Sequence, residues 1–289
     1  MSSPSDQMDK VAIVTGSSTG IGYATSLTLA RNGFHTYATV RNLGKAKAIE
    51  DVAEEEGLPI KVMELDVDSD ESVNNTIGKI YEDKKRIDVA VNNAGYALVG
   101  ALEDLSMQEI RAQFETNLFG AIRVMKAVLP IMRENRSGTI VNITSMGGRV
   151  AIPLDPAYHG TKFGLEGISE SMRYETEPFG IRVIVIEPGN IKSNFWTNLK
   201  IGKKASSPDS PYAHMIRRLQ KAAEKMAQDS LPPHEVAKVI LAAVTLEKPL
   251  PRYTVGEDAA KIIEASKQMS DLDFQNMMRQ QFFGQSITA

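Results

Sequence analysis

The chain of 289 residues carries 33 lysines and arginines against 36 aspartates and glutamates, and 42% of its residues are hydrophobic. This near-neutral composition excludes a wholly disordered chain and provides no basic surface of the kind that nucleic acids require. The absence of cysteine excludes disulfides, thiolate nucleophiles and cysteine-ligated metal sites. Residues 1–9 are polar and predicted to be flexible, without the apolar stretch of a secretory signal, and no apolar run approaches the ~20 residues of a membrane span. We therefore expect a cytoplasmic protein that binds neither nucleic acid nor membrane.

Short β-branched runs alternate with helical stretches from residue 10 onward. The predicted strands are 11–15, 35–40, 60–65, 87–91, 139–144, 183–186 and 252–255. The predicted helices are 20–32, 45–56, 71–83, 107–134, 158–177 and 235–245. The strands are nearly all apolar rather than alternating, as expected when helices cover both faces of a parallel sheet. The pattern predicts a single α/β domain over 10–256, a doubly wound (Rossmann) parallel sheet of about seven strands with helices on both faces.

The regular alternation of strands and helices is interrupted after residue 190. Prolines and a Ser-Ser pair interrupt 190–233, which we interpret as a partly helical insertion that forms a substrate loop or lid. The final segment, 257–289, carries spaced Met and Phe residues. It is predicted to be a helical tail that packs on its own core or on a partner subunit.

A glycine-rich turn follows the first predicted strand directly. The run TGSSTGIG at 15–22 places Gly16, Gly20 and Gly22 between a strand and a helix. Without Cβ atoms the backbone can approach a pyrophosphate, toward which the first N–H groups of the helix point. Such a turn is also a common structural loop, but its place in the first βαβ unit favours a dinucleotide site.

The end of the second predicted strand indicates which dinucleotide is bound. An acidic residue there binds the adenosine ribose of NAD, whereas an arginine pairs with the 2′-phosphate of NADP. This chain has Val40 and Arg41 in that window and no carboxylate. Taken alone, Arg41 is also an ordinary solvated charge at a strand end. After the glycine turn, however, it favours NADP(H) over NAD(H).

Three polar residues form a candidate catalytic group. Tyr158 and Lys162 are four residues apart on a predicted helix and so share one face. A cation beside a phenol lowers the pKa of the phenol toward a range useful for proton transfer. Ser145 follows the strand at 139–144, at the sheet edge where open α/β folds bind ligands. Alone, each has an ordinary interpretation, as a helix surface pair or a turn serine; together they indicate catalysis.

These motifs resemble those of the short-chain dehydrogenase/reductase family. In the order and spacing of that family, the chain carries TGSSTGIG at 15–22, NNAG at 92–95, Asn117, Ser145, YHGTK at 158–162 and PGNI at 188–191. The resemblance covers about residues 10–255, and six ordered motifs are far more specific than any one of them. The runs at 38–42 and 252–256 and the long tail are similar to the hydroxysteroid and retinol dehydrogenase branch.

The resemblance implies a role for each matching residue. Tyr158 would be the general acid in reduction and the base in oxidation, Ser145 would orient the substrate oxygen, and Lys162 would bind the nicotinamide ribose and lower the pKa of Tyr158. Asn117 would support a water chain that relays the proton through Lys162. The cofactor would be held by Gly16, Ser18, Gly20, Ile21, Gly22, Arg41, Asp66, Val67, Asn93, Ala94, Gly95, Tyr158, Lys162, Pro188, Gly189, Ile191 and Ser193. Ser193 replaces the usual threonine of the family, and no metal is implied.

Apolar residues behind the catalytic strand predict an apolar small-molecule substrate. They are Met146, Val150, Ile152, Pro153 and Leu154, followed by Phe195 and Trp196 in the later loop. Ordinary core packing is the alternative interpretation of each. The predicted function is hydride transfer between NADP(H) and a carbonyl or secondary alcohol. The family resemblance also predicts a homodimer or homotetramer, joined through the helices at 107–134 and 158–177.

Two further hypotheses remain open at this point. A catalytically silent dinucleotide-binding regulatory protein would keep the fold but have a damaged site, whereas Asn117, Ser145, Tyr158 and Lys162 are all intact. A dehydratase or epimerase of the related extended type would have a different glycine spacing and a larger substrate domain.

Overall fold

A seven-stranded sheet, parallel throughout, lies at the centre of the computed structural model, which describes residues 10–192, 199–228 and 230–284. Its strands are β1 (Val11–Thr15), β2 (His35–Val40), β3 (Ile60–Glu64), β4 (Val89–Asn92), β6 (Gly138–Ile143), β7 (Ile181–Pro188) and β9 (Arg252–Val255). They are joined in the order β3-β2-β1-β4-β6-β7-β9. The predicted doubly wound sheet of about seven strands is confirmed.

Helices cover both faces of this sheet. They are α1 (Gly20–Arg31), α2 (Lys47–Glu55), α3 (Asp70–Lys84), α4 (Met107–Phe114), α5 (Gly120–Glu134), α6 (Pro156–Thr176), α7 (Ala213–Gln228), α8 (Pro233–Thr245), α9 (Glu257–Gln268) and α10 (Asp271–Phe283). Residues of α3, α5 and α6 form the apolar core on one face, and residues of α1 and α8 form the core on the other.

Strand β1 shows why its sequence is continuously apolar. Val11 and Ile13 belong to the core beneath α3, α5 and α6, whereas Ala12 and Val14 belong to the core beneath α1 and α8. Successive side chains of a strand point to opposite faces, so both sets must be apolar when both faces are covered. All four side chains are at most 1% exposed.

Apart from shifts of a few residues at the ends of elements, two features differ from the sequence prediction. The helix predicted at 107–134 is divided, because a π-helical turn over Glu115–Phe119 separates α4 from α5. A second, two-stranded parallel sheet joins β5 (Leu98–Val99) to β8 (Lys200–Ile201). Each of its strands has only two residues, which is too short for any periodicity to predict.

Candidate active site

A cleft of about 580 Å³ opens at the carboxyl ends of the parallel strands. The strand order reverses there between β1 and β4, which is where open α/β sheets bind ligands. The predicted site residues that line the cleft are Gly16, Ser18, Gly20, Ile21, Arg41, Asp66, Val67, Asn93, Ala94, Gly95, Ser145, Tyr158, Lys162, Pro188, Gly189 and Ile191. Gly22 and Asn117 do not line it, and Ser193 lies outside the described residues.

The turn between β1 and α1 requires glycine at specific positions. Gly16 and Gly20 have φ angles of +69° and +62°, which side chains with a Cβ rarely adopt. A Cβ at Gly22 would lie 2.4 Å from both the carbonyl oxygen of Gly16 and Nδ2 of Asn93. The N-cap residue Thr19 makes no side-chain hydrogen bond to the helix. The side chain of Thr19 therefore does not occupy the backbone N–H groups at the start of α1, and Gly20 and Ile21 of that first turn line the cleft, as expected of an anion-binding helix terminus.

Asn93 holds this turn against the end of β4. Its Nδ2 donates to the carbonyl oxygen of Thr15 at 2.9 Å and to that of Gly16 at 3.1 Å. The backbone N–H groups of Asn93 and Ala94 donate to Oγ1 of Thr15 at 3.0 and 3.1 Å. The NNAG run thus fixes the shape of the glycine turn in addition to lining the cleft.

Two cations lie at the end of β2. Val40 is only 2% exposed, whereas Arg41 is exposed and lines the cleft. Lys45 also lines the cleft, on a short 3₁₀ turn that the side chain of Asn42 caps. Burial raises the pKa of the Asp68 carboxyl, and the positive charge of Arg41 lowers it. Sequence reasoning missed Lys45, although a second basic residue within four positions of Arg41 was a usable signal.

Ser145, Tyr158 and Lys162 meet at one wall of the cleft. Ser145 follows β6 directly, and its Oγ accepts a hydrogen bond of 3.0 Å from the N–H of Gly147. Nζ of Lys162 lies 5.5 Å from the centre of the Tyr158 ring and donates to the carbonyl oxygen of Ile143 at 2.8 Å. Helix α6 and the end of strand β6 therefore place the three side chains at the same wall of the cleft.

The protonation of this group is set by its burial. Burial raises the pKa of Tyr158, the hydrogen bond with Ser145 lowers it, and the charge of Asp155 raises it. Burial lowers the pKa of Lys162 to about 8, against the opposing effect of the Glu166 carboxylate. The phenol is thus protonated at neutral pH. The lowering of the Tyr158 pKa by Lys162, which the family resemblance implies, stays a prediction.

Asn117 lies in the π-helical turn and is 1% exposed. Its Oδ1 accepts from the N–H of Tyr96 at 3.0 Å, and its Nδ2 donates to the Tyr96 carbonyl oxygen at 2.8 Å and to Oγ1 of Thr161 at 3.3 Å. These bonds join the segment after β4 to helix α6. A π turn is often found at functional sites, and the proton relay through Asn117 stays a prediction.

His159 has a structural function that the sequence did not reveal. Its Nδ1 lies 2.7 Å from the carbonyl oxygen of Gly147, and its Nε2 accepts from the N–H of Ile152 at 2.9 Å. This pattern requires a neutral ring with the proton on Nδ1. Burial lowers the pKa of His159, against the effect of both hydrogen bonds, which favours that neutral form. The ring thereby fixes the loop that follows β6.

The loop after β6 lines the part of the cleft where the sequence predicted the substrate to bind. Met146, Val150 and Ile152 line it as predicted, whereas Pro153 and Leu154 do not. Leu154 packs instead in a small apolar cluster beside the second sheet. The predicted aromatic residues Phe195 and Trp196 lie outside the described residues. Asp155 and Lys200 also line the cleft and were not predicted.

The described ranges contain no group of three or more His, Asp or Glu side chains arranged to hold a metal ion. Among the helices described, none is long and apolar enough to cross a membrane.

Comparison with known proteins gives consistent matches. The family model described as short chain dehydrogenase matches residues 10–204. An uncharacterized oxidoreductase of Bacillus subtilis, YusZ, is 38% identical over 253 residues, covering 86% of this chain and 89% of that protein. The 3-ketodihydrosphingosine reductase of Bacteroides thetaiotaomicron is 33% identical over 89% of this chain and 92% of its own length. Retinol dehydrogenase 8 of Bos taurus is 34% identical over 83% of this chain and 79% of its own length. The predicted similarity to the retinol dehydrogenase branch is confirmed.

Solved structures share the fold. A short-chain dehydrogenase from Streptomyces avermitilis superposes with a TM-score of 0.80 at 30% identity, covering 94% of this chain and 96% of that chain. An alcohol dehydrogenase from the archaeon Thermococcus sibiricus, complexed with 5-hydroxy-NADP, gives a TM-score of 0.70 at 27% identity, with 85% and 95% covered.

Proposed function

The chain belongs to the short-chain dehydrogenase family and is an oxidoreductase that uses a nicotinamide dinucleotide on small-molecule substrates; from this premise we propose that it is specific for NADP(H). The proposed reaction is hydride transfer between the nicotinamide and the carbonyl or secondary alcohol of an apolar substrate. The observation that carries the proposal is the convergence of Ser145, Tyr158 and Lys162 on the cleft that the glycine turn also lines.

The chain around β1 fits the pyrophosphate of such a cofactor. A Cβ at Gly22 would collide with the carbonyl oxygen of Gly16, and a Cβ at Gly16 would lie 3.0 Å from Cα of Ala94, so the compact shape of the turn depends on both glycines. Open N–H groups at the start of α1 supply the donors that an anion needs. Asp66, Val67 and the segment 93–95 would line the adenosine half, and Pro188, Gly189 and Ile191 the nicotinamide half.

The cofactor, when bound, supplies or accepts the hydride at C4 of its nicotinamide. Tyr158 donates its phenolic proton to the carbonyl oxygen during reduction and accepts it back during oxidation. Its raised pKa keeps the phenol in the acid form that reduction requires. Ser145 holds the same oxygen through its hydroxyl group. The ammonium of Lys162 stabilises the phenolate as it forms, and Asn117 is proposed to support the water chain that returns the proton.

The preference for NADP(H) rests on charge at the end of β2. Arg41 and Lys45 present two cations to the cleft, and Val40 presents no carboxylate that would repel a 2′-phosphate. Arginine pairs with phosphate through two parallel hydrogen bonds. The complex of the archaeal relative with 5-hydroxy-NADP supports the same preference.

An apolar substrate is favoured by Met146, Val150 and Ile152 at the substrate end of the cleft. The names of two relatives, a 3-ketodihydrosphingosine reductase and a retinol dehydrogenase, describe reactions at a carbonyl or alcohol of a largely apolar molecule. They support the same substrate class here. The silent regulatory protein is not favoured, because the four proposed catalytic side chains are intact.

We propose that the protein assembles as a homodimer or homotetramer in the cytoplasm. Phe119 and Phe163 lie on the two segments predicted to mediate assembly and are 46% and 45% exposed. Aromatic side chains are enriched at protein interfaces. Light scattering after gel filtration is expected to give a dimer or tetramer, and a monomer at micromolar concentration would contradict this assembly.

Titration of the purified protein with NADPH and NADH, followed by fluorescence, tests the cofactor. NADPH consumption with aliphatic, aromatic, steroid and retinoid carbonyls then tests the reaction. Tighter binding of NADPH together with turnover of any carbonyl supports the proposal. Binding without turnover on the whole panel would support the silent protein instead, and binding of neither nucleotide would overturn both.

A further inference from the structure

Asp155 occupies the N-cap position of helix α6 without capping the helix. An aspartate there ordinarily accepts a hydrogen bond from a backbone N–H of the first helical turn. Here the side chain makes no such bond, and the residue lines the cleft instead. Helix capping therefore does not explain why this carboxyl lies where it does.

Asp155 is half-buried at the cleft wall, and part of its carboxyl group is buried without a partner. Its Oδ1 has no hydrogen-bond partner among the residues that the structure describes. Burial raises the pKa of this carboxyl well above its ordinary value, and no neighbouring charge offsets that effect. A buried carboxylate is stable only when a donor or cation accompanies it. Because Asp155 lines a cleft in which a ligand can bind, the ligand itself can supply the hydrogen-bond donor.

Two nitrogen-bearing side chains of helix α6, those of His159 and Lys162, line the same cleft but are bonded elsewhere. Nζ of Lys162 donates to the carbonyl oxygen of Ile143, and both ring nitrogens of His159 bond to the backbone of the loop after β6. Neither side chain pairs with Asp155. The donor that Asp155 lacks can therefore come from a molecule that enters the cleft.

Asp155 also lies next to the group proposed to donate the proton. It precedes Tyr158 by three residues at the start of the same helix, which places the two side chains within one turn. The two groups interact, because the charge of Asp155 raises the pKa of the Tyr158 phenol. A substrate whose carbonyl oxygen meets Tyr158 therefore brings its neighbouring atoms close to Asp155.

Building on the proposed function, we propose that Asp155 is a specificity residue that accepts a hydrogen bond from an amino or hydroxyl group a few bonds from the reacting carbonyl. The substrate class is accordingly an apolar ketone with such a donor near its carbonyl, or the matching amino alcohol or diol. An ammonium group is a stronger donor than a hydroxyl group here, because its positive charge also neutralises the buried carboxylate.

Three ketones that differ in one group test this assignment. The rate of NADPH oxidation is measured with α-aminoacetophenone, α-hydroxyacetophenone and acetophenone, for the wild type, Asp155→Asn and Asp155→Ala. The expected result is a kcat/KM at least ~10-fold higher for a donor-bearing ketone than for acetophenone, and a ratio near one in Asp155→Ala. Asp155→Asn keeps a hydrogen-bond acceptor but removes the negative charge. This variant is expected to retain the preference for α-hydroxyacetophenone over acetophenone and to lose the preference for α-aminoacetophenone.

Asp68→Asn is the matched control variant. Asp68 is a second carboxyl whose pKa burial raises and whose Oδ1 has no partner, but it lies beside Arg41 rather than Tyr158. Its replacement is expected to leave the ratio between ketones as in the wild type. An equal ratio in the wild type and Asp155→Ala, or a wild type without preference, would overturn the assignment.

A binding measurement separates this inference from the proposed function. The affinity of the NADP⁺-loaded protein for the amino alcohol and for the plain alcohol derived from these ketones is measured by calorimetry. The amino alcohol is expected to bind at least ~10-fold more tightly, and Asp155→Ala is expected to abolish the difference. If no ketone is turned over but this difference appears, the proposed reaction fails and the role of Asp155 in binding stands. Equal affinities of the wild type for the two alcohols would overturn the inference whatever the turnover.

Discussion

Nζ of Lys162 donates a 2.8 Å hydrogen bond to the backbone carbonyl oxygen of Ile143, the last residue of β6. This bond ties helix α6, which carries Tyr158, to the strand that leads into Ser145. The lysine is 6% exposed, so the bond forms away from bulk water. The relative position of the proposed acid and the hydroxyl that orients the substrate therefore depends on a side chain between them.

Replacement of Tyr158 by Phe is expected to remove turnover while leaving the cofactor bound. Tyr158→Phe keeps the ring and its packing but removes the proton that reduction needs, which corresponds to a loss of at least ~100-fold in kcat. The measurement is steady-state NADPH oxidation beside NADPH affinity from fluorescence. Loss of affinity with proportionate loss of turnover would show that the residue acts in binding alone.

Replacement of Lys162 by Met is expected to stabilise the fold while impairing activity. Burial lowers the pKa of Lys162 from its ordinary value of 10.5 to about 8, so the unfolded chain binds the proton more tightly. The free energy of unfolding of the wild type therefore rises with pH between about 8 and 10.5. At neutral pH the lysine is protonated in both states, so the folded protein bears the full free-energy cost of burying its charge. Lys162→Met removes that cost and loses one hydrogen bond, for a net gain of ~1–3 kcal/mol. Urea unfolding of both proteins at neutral and alkaline pH measures the difference, which should shrink as pH rises; a less stable variant at neutral pH would contradict this account.

Arg41 is the position at which cofactor preference is best tested. Val40 is 2% exposed, so a carboxylate there would disturb the strand itself. Arg41→Asp places the carboxylate on an exposed residue of the cleft wall and is expected to weaken NADPH binding at least ~10-fold, with little effect on NADH. Lys47→Asp is the control, since Lys47 is exposed and does not line the cleft. An unchanged ratio of the two affinities in Arg41→Asp would remove the basis for the NADP(H) preference.

His159 is expected to make the fold sensitive to acid. Burial lowers the pKa of His159 below its ordinary value of 6.5, so the unfolded chain takes up the proton first as pH falls. The stability that the neutral ring contributes is present above about pH 6.5 and is lost progressively below it. His159→Gln keeps a donor and an acceptor without titrating, so its melting temperature should fall less between about pH 7 and about pH 5. The same replacement at the exposed His214 serves as control, and equal slopes in all three proteins would argue against this role.

Gly22 and Gly78 are expected to respond in opposite directions to alanine. A Cβ at Gly22 would lie 2.4 Å from the backbone oxygen of Gly16, whereas a Cβ at Gly78 in helix α3 has no atom within 4 Å. Gly22→Ala should weaken nucleotide binding and lower the melting temperature. Gly78→Ala should stabilise the protein by ~0.5–1 kcal/mol, because alanine favours a helix interior. Thermal melts and NADPH titrations compare them; normal nucleotide affinity in Gly22→Ala would show that the turn tolerates a side chain.

The main sheet could be predicted from the sequence because the alternation of apolar runs and helical stretches extends over most of the chain and follows directly from burial of the strands on both faces. Each central strand is an apolar run with a helix before and after it, and the motifs at 15–22 and 158–162 fall on the edge where strands end. What it did not predict depends on contacts between distant segments. The two-residue strands β5 and β8 exist because they pair with each other, and the π turn at Glu115–Phe119 interrupts a helix whose pattern runs straight through it.

Individual side chains at the site show the same limit. Asp155 lies before the helix predicted at 158–177 and drew no prediction, and only the structure shows it at the cleft with Oδ1 unpartnered. His159 stands between two motif residues and has no signal of its own, because its partners are backbone groups of the preceding loop. Direction and environment of a side chain are properties of the folded chain rather than of spacing.

The most direct test of the central claim, hydride transfer from the nicotinamide to a carbonyl carbon, is an isotope measurement. The wild type is incubated with NADPH that carries deuterium at both C4 positions, together with ketones of the panel, and the alcohol is analysed by mass spectrometry. The account predicts one deuterium on the carbinol carbon of each product molecule and none of that product from Tyr158→Phe under the same conditions. An alcohol without deuterium, or no alcohol from any ketone, would contradict it.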